Sequence, residues 1–176
     1  MLVITSRHAA STRVCLHVLL QLIDVRSADA TILHAALMGV DRLLASLSEA
    51  EKTEALSWLI HMIVSHEGDD VCDGLLHILL HHGMGVVPRC EEVCRVMVKR
   101  YETLASSTRM VLLQLLVKLA INDKDNAQVK LMLSYVMELN SKDLDVEVRV
   151  QARNIKAVGA RSGVECSCTS PRTSRF

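Results

Sequence analysis

The sequence predicts an all-α fold of about eight antiparallel helices, and three observations carry that reading. Half of the 176 residues are hydrophobic yet only 2% are aromatic, so the apolar mass is Leu, Val, Ala, Ile and Met. Two prolines and seven glycines are too few for a sandwich or barrel, which needs a turn signal every ~8–12 residues. Apolar residues recur at helical spacing almost from end to end.

The first segment places Leu16, Leu19, Leu20 and Ile23 at i, i+3, i+4, i+7. The second does the same with Leu33, Leu37, Val40, Leu44 and Leu47. Ser48 with Glu51 three residues on reads as a capping box opening the third, whose apolar face is Leu56, Leu59, Ile60 and Ile63. The fourth carries Leu75, Ile78 and Leu79 and ends at Gly83 and Gly85. Pro88 fits the first turn of the fifth, where a missing N–H costs nothing. There Val93, Val96, Met97 and Leu104 face inward, and Glu91 and Arg95 form an outward i, i+4 pair.

The sixth segment, Met110 to Ile121, is apolar nearly all round, broken only by Gln114 and Lys118, so it is expected to sit between neighbours. The seventh, about Asp125 to Asn140, turns Val129, Leu133 and Val136 to the core. The eighth, about Asp143 to Val158, is expected to bury Leu144, Val148, Ala152 and Ile155. From Gly159 the composition shifts to Ser, Thr, Arg and Cys, which reads as a disordered tail over 159–176 after a folded segment over 1–158. The helix starts advance by about 20 residues, so a helix pair recurs every ~40. That is the period of HEAT and armadillo arrays, in which each hairpin buries its face by stacking on the next. A compact up-down bundle is the rival, and the chain reads as a segment of a longer α-solenoid.

Charge and cysteines bound the function. Twenty basic residues balance twenty acidic ones, so bulk electrostatic binding of nucleic acid is not expected. The six cysteines follow no framework spacing, which suggests reduced thiols and a cytoplasmic chain. No run of ~18 apolar residues marks a membrane span. The stretch from Val14 to Ile23, interrupted by His17 and Gln21, makes a weak signal peptide.

Three constellations invite chemistry. His77, His81 and His82 precede Cys90 and Cys94, and the pairs His77–His81 and Cys90–Cys94 are each i, i+4 on adjacent helices. Imidazoles and thiolates so placed are a conceivable zinc site and the basis of an alternative reading as a zinc-dependent helical enzyme. The spacing departs from ordinary zinc modules, so partial burial or a helix-end position is the favoured reading and no metal or cofactor is expected. His61 and His66 near Glu67, Asp69 and Asp70 suggest acid–base work, but no nucleophile or phosphate loop accompanies them, so a polar inter-helix loop explains them. Cys166 and Cys168 read as tail thiols. Arg149, Arg153 and Lys156 form a basic stripe at i, i+4, i+7, normally a solvated face, with an anionic partner patch or lipid headgroup as the functional alternative.

Residues 108–120 (TRMVLLQLLVKLA), 129–140 (VKLMLSYVMELN) and 143–153 (DLDVEVRVQAR) resemble, in order and interval, the late trunk helices of β-adaptins. The Tyr135-Val136 pair and the late arginine make them most similar to the β subunit of the third adaptor complex. Val87-Pro88 to Met97 is similar to the preceding adaptin helix, and before about residue 55 only a generic HEAT pattern remains. The family's Arg-Asp-Arg core reads Arg149-Val150-Gln151 here, which puts its local salt bridges in doubt.

The resemblance implies a non-catalytic trunk subunit of a heterotetrameric vesicle coat adaptor. It would bind a second large, a medium and a small chain, and would be recruited to Golgi or endosomal membranes through phosphoinositides and a small GTPase. No small-molecule substrate is implied. The family's hinge and appendage do not occur in this sequence, so it looks like a trunk fragment or a truncated gene model. The candidate partner-binding residues are Gln114, Lys118, Arg149, Arg153 and Lys156. An unrelated HEAT or armadillo scaffold is the alternative within the same class.

Overall fold

A computed structural model describes residues 2–24, 29–65, 69–83 and 90–162. Those residues form eight α-helices: α1 (Leu2–Asp24), α2 (Ala30–Leu44), α3 (Glu49–Ser65), α4 (Asp69–His82), α5 (Cys90–Lys99), α6 (Ser106–Asn122), α7 (Ala127–Ser141) and α8 (Val146–Ser162). A single 3-10 turn, Tyr101–Thr103, lies between α5 and α6. No strand occurs among the described residues, and the fold is all-α. None of these helices is long and apolar enough to cross a membrane.

Consecutive helices pack as α1 on α2, α3 on α4, α5 on α6 and α7 on α8. Next-but-one helices pack as well: α2 with α4, α4 with α6, α6 with α8, and α3 with α5, α5 with α7. Even helices thus lie beside even and odd beside odd, as in two layers, with α6 also packed on α7. Helix α6 touches α4, α5, α7 and α8, which is why its sequence is apolar on nearly every side: Val111, Leu112, Leu113, Leu115, Leu116 and Ala120 are all buried.

The helical spacings locate most of the core. Leu16, Leu20 and Ile23 of α1, and Leu33, Leu37, Val40 and Leu44 of α2, are buried, while Val14, Val18 and Leu22 line the outer side of α1. The expected core residues of α3, α4 and α7 are likewise buried. Two glycines mark close helix approaches. A Cβ on Gly74 would meet Leu37 Cδ1 at 2.4 Å, where α4 lies against α2, and one on Gly39 would meet Leu19 Cδ1 at 2.9 Å, where α2 lies against α1.

Side-chain caps fix several helix starts. Asp29 accepts from Thr31 N (3.0 Å) at α2, and Asn126 accepts from Gln128 N and Val129 N (both 3.2 Å) at α7. At α3 half of the expected capping box forms: Ser48 N donates to Glu51 Oε2 (3.1 Å), but the Ser48 hydroxyl also donates to that carboxylate (2.6 Å). Arg13 of α1 pairs with the same Glu51, and these bonds lower the Glu51 pKa to about 2.

Several sequence expectations need correction. Leu144 is 97% exposed, because α8 starts only at Val146, with Asp145 Oδ1 accepting from Glu147 N (2.8 Å). The core face of α8 is Val148 and Ala152, with Ile155 partly buried. Glu91 and Arg95 do not pair: Arg95 turns one residue along the helix to Glu92, and Glu91 accepts from Asn126 Nδ2 (2.7 Å) across to α7. Val96 is only half-buried, and α5 stops at Lys99, so Leu104 is buried after the 3-10 turn and not on the helix. Asp69 and Asp70 open α4 and are not loop residues. Helix α8 continues past Val158 to Ser162. The rest of the expected tail, with Cys166 and Cys168, lies outside the described residues, as do His66, Glu67, Gly85 and Pro88.

Candidate functional site

The five residues nominated for partner binding fare differently. Gln114 of α6, and Arg153 and Lys156 of α8, are exposed. Lys118 is committed within the chain: its Nζ donates to the Leu80 carbonyl (2.6 Å), one of the last-turn carbonyls of α4 that no intrahelical N–H reaches. Arg149 is committed too, its Nη1 donating to the carbonyls of Asp143 and Leu144 (2.8 Å to the latter) before α8. The basic stripe therefore loses its first member to a helix-start contact, and the free cations on that face are Arg153 and Lys156 among the described residues.

The four-residue zinc arrangement does not form. Cys94 is wholly buried, and Cys90 is buried with its Sγ 3.6 Å from the Gly83 carbonyl oxygen, to which it donates. Burial pushes the Cys90 thiol up to about 11 and raises Cys94 further. His77 and His81 instead line a groove that α4 forms with α2. Among the described residues no three His, Cys, Asp or Glu side chains are placed to share an ion. The reason is helical: from His77, the four-residue step to His81 follows the α2-facing side of α4, while Cys90 and Cys94 face the core.

That groove has a volume of about 600 Å³. One wall is the α2 face running from Ala30 through His34 and Met38 to Asp41. The other is the α4 face Asp73, Gly74, His77, Ile78 and His81. Ala105, Ser107 and Thr108, at the start of α6, complete it. Helices α2 and α4 run parallel, since the C-terminal Asp41 of one meets the C-terminal His82 of the other (Oδ1–Nε2 3.0 Å), with His81 Nδ1 3.9 Å away. The rings of His77 and His81 meet edge to face at 6.4 Å between centroids.

The groove floor is apolar, from Leu33, Leu37 and Ile78, and Met38 at its margin is 43% exposed. Two residues at its walls carry polar atoms buried from solvent without a hydrogen-bond partner: Asp73 Oδ1 and Thr108 Oγ1, the latter on a residue with 0% exposure. Such groups cost about 1–3 kcal/mol each when left unsatisfied. Helix α6 begins here with no acidic residue in its first turn and no side-chain cap at Ala105, and the Asp145 carboxylate bonds the Ser106 side chain at its start.

Sequence reasoning saw His77 and His81 but missed His34, Asp41, Asp73 and Thr108. The available signal was two polar stripes, His34–Asp41 seven apart and Asp73–His77–His81 four apart, on helices separated by a third.

A second polar cluster lies where α6 meets the start of α8. Arg109 Nη1 pairs with Asp143 Oδ2 (2.8 Å), its Nη2 donates to Glu102 O (3.1 Å), and its guanidinium stands 5.4 Å from the Tyr101 ring centre. Burial, and secondarily the Asp143 carboxylate, push the Tyr101 hydroxyl up to about 12. Asp143 Oδ1 accepts from Asp145 N (3.0 Å), so one aspartate links α6 to the turn that launches α8. The cluster joins three elements, though the Tyr101 hydroxyl and Arg109 Nε are buried in it without hydrogen-bond partners.

No family model, no curated protein and no solved structure matches the chain.

Proposed function

We propose that the chain is a non-catalytic protein-binding scaffold, a segment of an α-solenoid that presents the surface of its even-numbered helices to partners. The observation that supports this is the packing of even helices on even and odd on odd, the neighbour relation of stacked hairpins, together with a groove that two next-but-one helices build between them. An unrelated HEAT or armadillo scaffold has the same geometry.

The finer reading is a β-adaptin-type trunk segment in a vesicle coat adaptor. It rests on the resemblance over 108–158, a stretch that begins in α6 and reaches into α8. In that reading the partners are a second large, a medium and a small adaptor chain, and the location is the cytoplasmic face of Golgi or endosomal vesicles. Membrane contact would fall to Arg153 and Lys156, since Arg149 is held by carbonyl oxygens of its own chain.

Affinity capture of the tagged chain from cells tests both levels. Recovery of medium and small adaptor chains in constant ratio to the bait is the expected result. Capture of the folded chain without them would remove the coat reading. Charge reversal at Arg153 and Lys156 should reduce recruitment to membranes, and unchanged recruitment would remove their assignment to membrane contact.

A further inference from the structure

We propose that the chain associates end to end with a second copy of itself, the outer side of the α7–α8 pair of one copy seating on the outer side of the α1–α2 pair of the next. The proposal rests on the scaffold reading above and adds a partner and the faces that meet.

A helix that is apolar on two opposite sides belongs between two neighbours, and α6 shows this within the chain, buried against four other helices. Three more helices are apolar on two opposite sides but are covered on only one. In α1, Val14 and Val18 are exposed, and each stands two residues, about 200° of helical turn, from buried Leu16 and Leu20. In α7, Leu131 (72% exposed) and Tyr135 (50%) stand in the same relation to buried Leu133 and Met137. In α8, exposed Val146 and Val150 do so to buried Val148 and Ala152. The helices between these ends are different: α3 turns Glu54, Ser57 and His61 outward, and α5 turns Glu92, Arg95 and Lys99 outward. The second apolar side therefore belongs to the first and last helix pairs.

The packing inside the chain sets the direction of the contact. Successive pairs join in one sense throughout: α2 packs on α4, α4 on α6 and α6 on α8, as α3 packs on α5 and α5 on α7. The side of a pair that meets the following pair is left open at α7–α8, and the side that meets the preceding pair is left open at α1–α2. A second copy supplies what each end lacks, so the contact continues the series head to tail, whereas a two-fold contact would set like against like. Residues 163–176 hold only Val164 and Phe176 as large hydrophobic side chains, too few to cover the α7–α8 side from within the chain. Each open side offers on the order of 300–600 Å² of apolar surface, a patch size that marks an interaction site. That is short of the ~800 Å² each partner gives a standard interface, so the association is of roughly micromolar strength. A head-to-tail contact does not close at two copies, and the assembly grows with concentration.

The test is sedimentation velocity of the intact chain over about 1–200 µM, a range that brackets micromolar association. Reductant is included because Cys15 is exposed beside Val14. The average mass should rise with concentration and pass that of two copies. Val18→Glu blocks the α1–α2 side and Leu131→Glu the α7–α8 side, both at exposed positions where the fold tolerates a charge. Each variant alone should associate at least about tenfold more weakly than wild type. Mixed, the two should form a 1:1 dimer and stop there, since each keeps the side that the other has lost. Val14→Glu and Val150→Glu replace either variant if circular dichroism shows that it does not fold. A wild-type chain that stays monomeric, a single variant that associates as wild type does, or a mixture that stays monomeric would overturn the proposal. A chain that recovers adaptor subunits yet stays monomeric loses the end-to-end contact alone. One that assembles end to end but recovers no adaptor subunits loses the coat reading alone.

Discussion

The Arg109–Asp143 pair offers the sharpest test of how the C-terminal helices are held. Asp143 has a side chain only 4% exposed and Arg109 one 21% exposed, so the pair lies between a solvated surface bridge and a fully buried one. Surface pairs contribute about 0–1 kcal/mol, and removal of one partner from a buried pair costs about 3–5. Arg109→Met keeps much of the packing volume and leaves Asp143 facing a non-polar neighbour. It also removes the bond to Glu102 O and the contact with the Tyr101 ring. We expect a loss of about 2–4 kcal/mol, intermediate because Arg109 is partly hydrated. For a chain of this length that is a fall of about 4–16 °C in melting midpoint, read by far-ultraviolet circular dichroism.

Asp143→Asn supplies the second arm of the cycle. It removes the charge but keeps an oxygen to accept from Asp145 N, so the start of α8 is retained. The double variant should be more stable than the sum of the two single losses implies, with a coupling of at least about 1 kcal/mol. Additive losses, or an Arg109→Met loss under about 1 kcal/mol, would show that the pair is solvated and that packing alone holds α6 to α8.

Four other outcomes follow from the geometry. Lys118→Ala should weaken the C-terminal turn of α4 by about 1 kcal/mol, seen as faster amide exchange there, with partner capture unchanged; the reverse pattern would restore Lys118 as a binding residue. Leu112→Ala, at a fully buried position of the central helix, should cost about 3–5 kcal/mol in urea denaturation, and a loss below about 1 would contradict its burial. Iodoacetamide at pH 8 should label exposed Cys15 in the native protein and spare Cys90, whose raised pKa of about 11 leaves about one thiolate in a thousand; peptide mass spectrometry that finds Cys90 modified first would refute this. Glu51 has its pKa lowered from 4.5 to about 2, so its contribution is fully present above 4.5 and is lost as pH falls through about 2. The stability difference between wild type and Glu51→Gln should shrink over that window, and a difference that does not vary with pH would remove the assignment.

How much of this was legible depends on what each feature requires. Burial in regular helices follows from the 3.6-residue repeat, so Leu33, Leu37, Val40 and Leu44 could be read directly, whereas Leu47 is buried in the turn after α2. Leu144 could not, because Asp143 and Asp145 both compete for the helix start and the structure uses the later one, leaving Leu144 in the turn. Glu91 was paired with Arg95 by helix spacing alone, whereas a partner on α7 captured it. Lys118 and Arg149 looked free because backbone carbonyls, which are sequence-blind, are their acceptors. The groove was only half visible. Its α4 stripe is a plain i, i+4 pattern, but the facing stripe lies beyond an intervening helix, and nothing local relates His34 to His77.

The pairing of even helices with even and odd with odd also bears on how the chain comes to be folded. Among the described residues, the substantial helix packings join helices that are consecutive or next but one. Each contact therefore closes only a short length of chain, and low sequence separation favours rapid folding. An order of assembly is built in: α1 can settle on α2 and α3 on α4 while the residues of α7 and α8 are still being synthesised. The contact between α2 and α4 would then be in place before the last hairpin leaves the ribosome.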